Sequence, residues 1–495
     1  MYPLRYWEWP NSADKTDVLL HQPDRDWIWF AAWARYAWNP ERDPKKEQTY
    51  WATQFAERFG VGSTAAIDAQ GHSAKVVATV SADTFAAQTP QLSPAALAAG
   101  QHLLAAYELA GPCAPRLLPR VGITEGNRQV LSLGMTMPQL IDAARFNPAA
   151  TLWTGDAPDG ERLDEWVANE VHGGAHHGES PLGVAAEVAA QSLKAVAEAE
   201  AAAPGIALSA QPEYKRVVND MRAIAALMAF YNAKTQAAAL VMRFGYDGDR
   251  THLAAARGLL AESVTDFARL TALTETTYRD AAGMETSQRQ IPVRGGPETN
   301  HWRDLLPVYQ KELATFDKRL LAMNSGTATE STAVAKRLQQ VPFILGAGGG
   351  QVFAVSKGES LYDDGSDPIS SVAPELEGLQ GIRVSEHQAT PIHFNVSKPA
   401  QILVGYFKSN SRKTINASPD TEQWNLLLPN AVAPGKGLPI SVWAKPVPAG
   451  LNDLDLGKGT YVVLGFIPED AHVVPHVAFD PNSKEPPNLD WMFEN

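Results

Sequence analysis

Residues 24–40 read Asp24-Arg25-Asp26-Trp27-Ile28-Trp29-Phe30-Ala31-Ala32-Trp33-Ala34-Arg35-Tyr36-Ala37-Trp38-Asn39-Pro40. Trp27, Phe30, Trp33 and Trp38 recur at close to helical spacing, and Asn39-Pro40 ends the pattern. The sequence therefore predicts a helix over this stretch. A second helix is expected from about Pro44 to Phe59, ended by Gly60.

The same aromatic stretch suggests a carbohydrate site. Indole rings stack on the apolar faces of a pyranose, while its hydroxyl groups need charged or polar partners, and a guanidinium can hold a uronic-acid carboxylate through two hydrogen bonds. The predicted sugar contacts in this stretch are Arg25, Asp26, Trp27, Trp29 and Arg35. Two alternatives stay open: an aromatic core at a helix junction, and an Arg–Asp cluster that pins a loop.

Helical periodicity continues well beyond this opening. More helix is expected within 65–110, and amphipathic patterns then predict long helices over 182–203, 213–244, 252–281 and 301–323. The last is the clearest, with an apolar stripe that runs from Trp302 to Met323. Because each stripe can be buried only against a neighbouring helix, these segments predict a large α-helical region built as a bundle.

The periodicity changes from 3.6 to 2 after residue 340. Short β-branched and aromatic runs separated by turn-forming residues predict strands at 352–355, 382–384, 392–396, 402–407 and 461–467. The predicted fold class is therefore α then β, with a β-sandwich or jelly-roll domain after the helices. The expected divisions are an aromatic-rich segment at 1–60, a helical domain at 61–323, a linker at 324–340 and the β domain at 341–495.

Two polar segments between the helices are further candidates for ligand binding. The segment 122–129 offers Glu125, Asn127 and Arg128, and the glycine-rich segment 172–181 offers His176, His177 and Glu179. Each also has a structural interpretation: a capped turn for the first, and a helix start with Ser180 as N-cap and Pro181 as first residue for the second. The glycines between the histidines disfavour rigid metal ligation, so no metal is predicted.

Composition narrows the classes of partner. The net charge of −13 and the lack of a basic patch exclude nucleic acid as an expected partner. Cys113 is the single cysteine, no apolar run is long enough for a membrane span, and no phosphate-cradling or dinucleotide motif predicts a cofactor. Gly346 to Gly350 is interpreted as a flexible interdomain turn. The compartment stays open: periplasmic or extracellular if an upstream signal is missing from the sequence, otherwise cytoplasmic.

One set of residues matches a known pattern: Trp27-Ile28-Trp29-Phe30, Trp33 to Pro40, Tyr50-Trp51, Phe55 and Arg58-Phe59-Gly60. With these residues the chain resembles the segment that follows the (β/α)8 barrel in α-glucuronidase-like glycoside hydrolases. The resemblance implies a helical region that closes over a catalytic barrel. Since no barrel precedes these residues, the family's catalytic acids have no counterparts here, and the catalytic residues stay unknown.

The sequence therefore leaves two functions open. The first is a carbohydrate-active protein, part of or companion to a glycoside hydrolase acting on an acidic, uronic-acid-containing polysaccharide, with a barrel domain or a second copy of the chain as protein partner. The second is a non-catalytic carbohydrate-binding or structural protein. Exposed aromatic side chains favour the first, whereas complete burial of Trp7, Trp27, Trp29 and Trp33 favours the second.

Overall fold

The computed structural model describes residues 27–60, 92–121, 134–141, 160–278, 301–324, 337–365, 368–385, 391–407, 424–434, 440–456, 460–471, 489 and 492–493. Within these ranges, helices occupy the chain as far as residue 324, and antiparallel strands follow from residue 343. The predicted order of a large helical region followed by a β domain is confirmed. None of the described helices combines the length and apolar character that a membrane crossing requires.

The described helical part contains ten α-helices. These are α1 Trp27–Trp38, α2 Pro44–Phe59, α3 Pro94–Ala110, α4 Cys113–Arg120, α5 Met137–Ile141, α6 Leu163–His172, α7 Pro181–Ala201, α8 Gln211–Asp247, α9 Arg250–Glu275 and α10 Trp302–Asn324. Seven of them lie where helical periodicity predicted helix. The short helices α4, α5 and α6 lie in a stretch where no helix was expected.

The helix ends follow local capping chemistry. Asp43 accepts hydrogen bonds from the backbone N–H groups of Lys45 and Lys46 at the start of α2. Ser180 accepts from the N–H of Gly183, and Pro181 is the first residue of α7, as the sequence indicated. These caps satisfy N–H groups that have no partner inside the helix.

Helices α2, α3 and α7 pack through small side chains. A Cβ atom added to Gly100 of α3 would lie 2.1 Å from the carbonyl oxygen of Ala52 in α2. The core of this contact consists of Phe55, Phe59 and Leu103 together with alanines of α3 and α7. Because alanine and glycine project so little, the helix backbones approach closely enough for the phenylalanines to fill the remaining space.

The chain divides into two compact units. One contains α1 to α7, α8 up to Ala239, α9 from Gly258 and α10 up to Lys311; the other contains the remaining parts of α8, α9 and α10 with all the strands. In this second unit Phe316 of α10 stacks on Phe493, and Arg319 lies over the ring of Trp443. Burial lowers the pKa of Arg319 to about 10. The finer divisions at residues 60, 323 and 340 stay predictions.

The β part forms two antiparallel sheets. Its strands are β1 Phe343–Leu345, β2 Gln351–Ala354, β3 Ile369–Val372, β4 Gln380–Arg383, β5 Ile392–Val396, β6 Ala400–Phe407, β7 Asn425–Pro434, β8 Ile440–Val447, β9 Gly450–Leu454 and β10 Thr460–Pro468. The order is β1-β5-β9 in the small sheet and β2-β4-β10-β6-β8-β7-β3 in the large one. Five strands lie at predicted positions; β1, β3, β7, β8 and β9 were not predicted.

The central strands of the large sheet are buried on both faces. Along β10, Val462 and Leu464 belong to one apolar cluster, whereas Val463 and Phe466 belong to the cluster that also contains Ile392, Phe394 and Val396 of the small sheet. Successive side chains of a strand point to opposite faces, so burial of both faces requires an uninterrupted apolar run. This explains the continuous apolar runs of β6 and β10 in the sequence.

The glycine-rich segment from Gly346 to Gly350 was misassigned. It joins β1 to β2 inside the β domain and therefore does not separate two domains. Gly348 and Gly350 have φ angles of 84° and 95°, and such left-handed conformations favour glycine over other residues. The turn's composition thus reflects local backbone geometry.

We predict that Gly465→Ala destabilises the β unit by about 1–3 kcal/mol and lowers its Tm by roughly 3–8 °C. Gly465 has a φ of 142° at a β-bulge in β10, and an added Cβ would lie 3.2 Å from the Leu379 side chain. Differential scanning calorimetry measures the change. Gly349→Ala is the matched control, because its added Cβ meets only ordinary contacts of 3.4 Å or more. Equal Tm values for the two variants would contradict the prediction.

Candidate functional site

Arg35 joins α1 to α2. Its Nε and Nη2 donate to the two carboxylate oxygens of Glu47 at 2.7 and 2.8 Å, and its guanidinium lies 3.4 Å from the centroid of the Tyr50 ring. The hydrogen bond with Glu47 raises the pKa of Arg35, and the same bond lowers the pKa of Glu47. The Arg35 guanidinium is thus occupied by a carboxylate of the protein. The guanidinium predicted to hold a sugar carboxylate in two hydrogen bonds is that of Arg25, which lies outside the described residues.

The tryptophans of α1 have two different environments. Trp27 is half-buried, contacts Phe55 edge-on at 5.3 Å between ring centroids and lies beneath the guanidinium of Arg58. Trp29 and Trp33 are exposed, with 44% and 76% of their surface accessible. Complete burial of the aromatic stretch, which would have favoured a purely structural role, therefore does not occur in α1.

The glycine-rich loop before α7 is held by His176. Its Nδ1 lies 2.8 Å from Oε2 of Glu161, its Nε2 lies 2.9 Å from Oε1 of Glu170, and its ring packs against Trp166 at 5.4 Å between centroids. The hydrogen bond with Glu161 raises the pKa of His176 above its ordinary value. A protonated imidazole can donate to both carboxylates at once, so the charged form fits this position.

Glu161 is the buried member of this group, with only 1% of its surface exposed. Its carboxylate also accepts a hydrogen bond of 2.6 Å from Nδ2 of Asn169. Burial alone would raise the pKa of Glu161, but the hydrogen bonds from His176 and Asn169 outweigh burial and hold the pKa below its usual range. Glu161 is therefore an ionised anchor for the loop.

Glu179 ties the end of the loop to α4. Nη2 of Arg116 donates to its Oε1 at 2.6 Å, and Nη2 of Arg120 lies 3.3 Å from its Oε2. Arg116 also donates to Glu187 at 2.9 Å, and the bonds to Glu187 and then Glu179 raise the pKa of Arg116. Arg116 and Arg120 are four residues apart, so both reach the same carboxylate from one side of α4.

A backbone hydrogen bond between residues 161 and 179 also holds this loop in position. The N–H of Glu161 donates to the carbonyl of Glu179 at 3.2 Å, and a Cβ added to Gly160 would lie 2.3 Å from that carbonyl oxygen. Glycine at position 160 therefore allows two distant segments to meet. The result is a rigidly held loop whose residues 172–178 are exposed to solvent.

The predicted site residues fall into separate groups. His176, His177 and Glu179 lie together, with Nδ1 of His177 3.7 Å from Oε1 of Glu161. Among the described contacts, those of Arg35 and Trp27 run to α2 instead, so the structure does not join them to this loop. Arg25, Asp26, Glu125, Asn127 and Arg128 lie outside the described residues.

We call the residues that hold this loop the loop group. Besides the predicted His176, His177 and Glu179 it contains seven residues that sequence reasoning missed: Arg116, Arg120, Glu161, Trp166, Asn169, Glu170 and Glu187. The four-residue spacing of Arg116 and Arg120 was the one local signal in the sequence that could have indicated that both contact the same carboxylate. Glu161 precedes His176 by 15 residues, and Arg116 precedes Glu179 by 63 residues. Only the fold brings such distant residues together.

The described residues contain no group of three or more His, Cys, Asp or Glu side chains arranged to hold a metal ion. Both ring nitrogens of His176 are engaged by carboxylates, which leaves neither for ligation. Cys113 is buried, and burial raises its pKa to about 11. The absence of a metal requirement stays a prediction.

The comparison with solved structures is the informative one. No protein-family model and no curated protein sequence matches the chain. Among solved structures it is similar to a protein described as a GH138 enzyme targeting pectin rhamnogalacturonan II, at 28% identity and a TM-score of 0.54. The match covers 99% of this chain but 53% of the other, so the chain spans about half the length of that enzyme.

The loop group predicts a defined pH dependence. Because the pKa of His176 is raised from 6.5, its stabilising contribution is complete below about pH 6.5 and is lost as the pH rises through the raised value. The pKa of Glu161 is lowered from 4.5, so its contribution is complete above about pH 4.5 and is lost on acidification. We therefore expect the Tm difference between wild type and His176→Asn to be largest between these limits.

The measurement is thermal unfolding of both proteins at about pH 5 to 9, accompanied by an NMR titration of the His176 ring protons. The Tm difference should shrink toward the alkaline end. A difference that is constant over the whole range, or a His176 titration midpoint below 6.5, would show that the two carboxylates do not hold a charged imidazole.

Proposed function

We propose that the chain is the helical and β-rich portion of a glycoside hydrolase, or a companion to one, that acts on an acidic polysaccharide containing uronic acids. The observation that carries this proposal is the match of nearly the whole chain to about half of the GH138 enzyme. An identity of 28% over both the helices and the strands supports a relation that extends beyond a shared arrangement of elements. The finer resemblance to α-glucuronidases belongs to the same proposal.

We assign polysaccharide contact to the loop before α7. Residues 172–178 are exposed, yet the loop is anchored through His176, Glu161 and Glu179, so it presents side chains to a ligand without a large ordering cost. His177 is 68% exposed and can donate or accept hydrogen bonds with sugar hydroxyls. Trp29 and the other predicted contacts outside this loop stay predictions.

The charges of the loop group suit binding better than acid catalysis. A general acid for glycoside hydrolysis needs a carboxyl group that is protonated near neutral pH. Despite burial, which raises the pKa of a carboxyl group, the hydrogen bonds from His176 and Asn169 leave Glu161 with a lowered pKa, and Glu179 is bound by two arginines. We therefore propose that this group positions the polysaccharide, while the catalytic carboxylates belong to another part of the enzyme.

A non-catalytic carbohydrate-binding or structural protein is the second candidate. The ion pairs of the loop group favour this candidate, because each of its carboxylates is engaged in one: Glu161, Glu170, Glu179 and Glu187. Assaying released reducing ends distinguishes the two. Release of reducing ends by the isolated chain would establish catalysis within it, whereas binding without hydrolysis would favour the binding function or a portion of a larger enzyme.

We predict that His177→Ala weakens binding of oligogalacturonides roughly five- to tenfold, because it removes one or two hydrogen bonds to the ligand. Isothermal titration calorimetry with oligogalacturonides and neutral oligosaccharides of equal length measures the change. Wild type should prefer the acidic ligands. Loss of binding should occur without a change in Tm, since His177 is largely exposed.

His102→Ala is the matched control. It removes the same side chain from α3, where His102 pairs with Glu198 at 2.8 Å, at a position 41% exposed. Equal weakening by both variants would contradict the assignment of the loop. Failure of wild type to bind any uronic-acid oligosaccharide would contradict the proposed function itself.

A further inference from the structure

His176 lies between two carboxylates, and this geometry requires a charged imidazole. Its Nδ1 is 2.8 Å from Oε2 of Glu161, and its Nε2 is 2.9 Å from Oε1 of Glu170. A carboxylate only accepts hydrogen bonds, so each ring nitrogen needs its own hydrogen to form one. A neutral imidazole has a single N–H and would turn a lone pair toward one of the two carboxylates. Both hydrogen bonds therefore exist together only when His176 is protonated.

The two carboxylates differ in their access to water. Glu161 is buried, and an ionised carboxylate in such a position requires hydrogen-bond donors. The side chain of Glu170 on α6 is 36% exposed, so water can solvate it. When His176 loses one proton, the least costly arrangement keeps the remaining N–H on Glu161 and leaves Glu170 to the solvent. Deprotonation therefore removes the hydrogen bond between the loop and Glu170.

Deprotonation also changes the charge beside the loop. With the imidazole protonated, His176, Glu161 and Glu170 together carry one net negative charge, and with the imidazole neutral they carry two. The other charged or titratable groups of the described segments around the loop are Arg116, Arg120, Glu179 and Glu187, which pair with one another, Arg162, Asp164 and Glu165 at the start of α6, which also pair, and the exposed His172 and His177.

We infer that His176 makes the binding of an acidic polysaccharide at this loop depend on pH, with weaker binding once the imidazole is neutral. The inference rests on the proposed function, which assigns polysaccharide contact to residues 172–178. Deprotonation removes one anchor of the loop and adds a negative charge next to His177, the residue assigned to the ligand. Both changes disfavour a ligand that carries carboxylates, whereas a neutral sugar is affected by the first alone.

The pH range of the change follows from the hydrogen bond with Glu161, which raises the pKa of His176 from 6.5. Below about pH 6.5 the imidazole is mostly charged and the loop is fully anchored, and this anchoring is lost as the pH rises through the raised pKa. The carboxylates of the ligand stay ionised over this range, because carboxyl groups ordinarily titrate at about pH 4. A change in affinity with a midpoint above 6.5 therefore belongs to the protein.

Isothermal titration calorimetry of the full chain with oligogalacturonides between about pH 5.5 and 9.5 tests the inference. Affinity for these ligands should fall about three- to tenfold as the pH rises, since one hydrogen bond is lost and one charge is gained. Affinity for neutral oligosaccharides of equal length should fall less. His176→Asn should lose this pH dependence, because it removes the titrating ring. Glu170→Gln should keep it but move its midpoint to lower pH, because one of the two carboxylates that favour the charged ring is gone.

Glu187→Gln is the matched control for charge. It removes the same charge from a side chain that is 59% exposed and contacts Arg116 instead of His176, so the midpoint should stay where it is in wild type. His172→Asn and His177→Asn control for the exposed histidines. Both should leave the midpoint unchanged, although His177→Asn should lower the affinity at every pH.

Several outcomes would overturn the inference. An affinity for oligogalacturonides that does not change with pH would do so and leave the proposed function standing. A pH dependence that survives in His176→Asn or disappears in His177→Asn, or a midpoint that Glu170→Gln and Glu187→Gln shift equally, would also do so. Because Glu170 is exposed, Glu170→Gln decides the matter even if His176→Asn disturbs the fold. Absence of binding at every pH would contradict the proposed function, and the inference with it.

Discussion

Close contact between helix backbones is the constraint on which the helical region depends. At Gly60, Gly100 and Gly205 a single added Cβ would overlap backbone or alanine atoms of a neighbouring helix. Since these contacts lie on both sides of α3, one larger side chain would separate α2 from α3 or α3 from the segment after α7. The alanine-rich composition of these helices is what sets the spacing of the bundle.

That spacing also places the polar loop. Helix α4 follows α3 and packs beside α7, so Arg116 and Arg120 reach the residues just before the start of α7. Glu161 is buried where these segments meet, and its ionised state depends on His176 and Asn169. Buried charge of this kind is tolerated only when every oxygen is paired, which makes the loop geometry sensitive to any one partner.

The sequence was sufficient to locate a helix or strand wherever the signal for it lies within a short stretch of residues. Helix α2 could be located from Pro44 and Gly60, and β10 from its continuous apolar run, because both signals are local. Strand β9 has only Leu454 fully buried and was missed. Helix α6 buries just Leu163 and Val167, too few for a recognisable stripe. For the site, the histidines and Glu179 stood out by composition, whereas Glu161 and the two arginines gained their roles through long-range contacts.

The position of β10 has a consequence for the order in which the protein can fold. It is the last of the described strands, yet it lies inside the large sheet, between β4 and β6. Until residues 460–468 are made, β4 and β6 each lack a partner along one edge, and both apolar clusters lack their central members. A nascent chain therefore carries two open strand edges from the completion of β6 until β10 is made, which exposes it to aggregation and makes chain termination in this interval especially damaging.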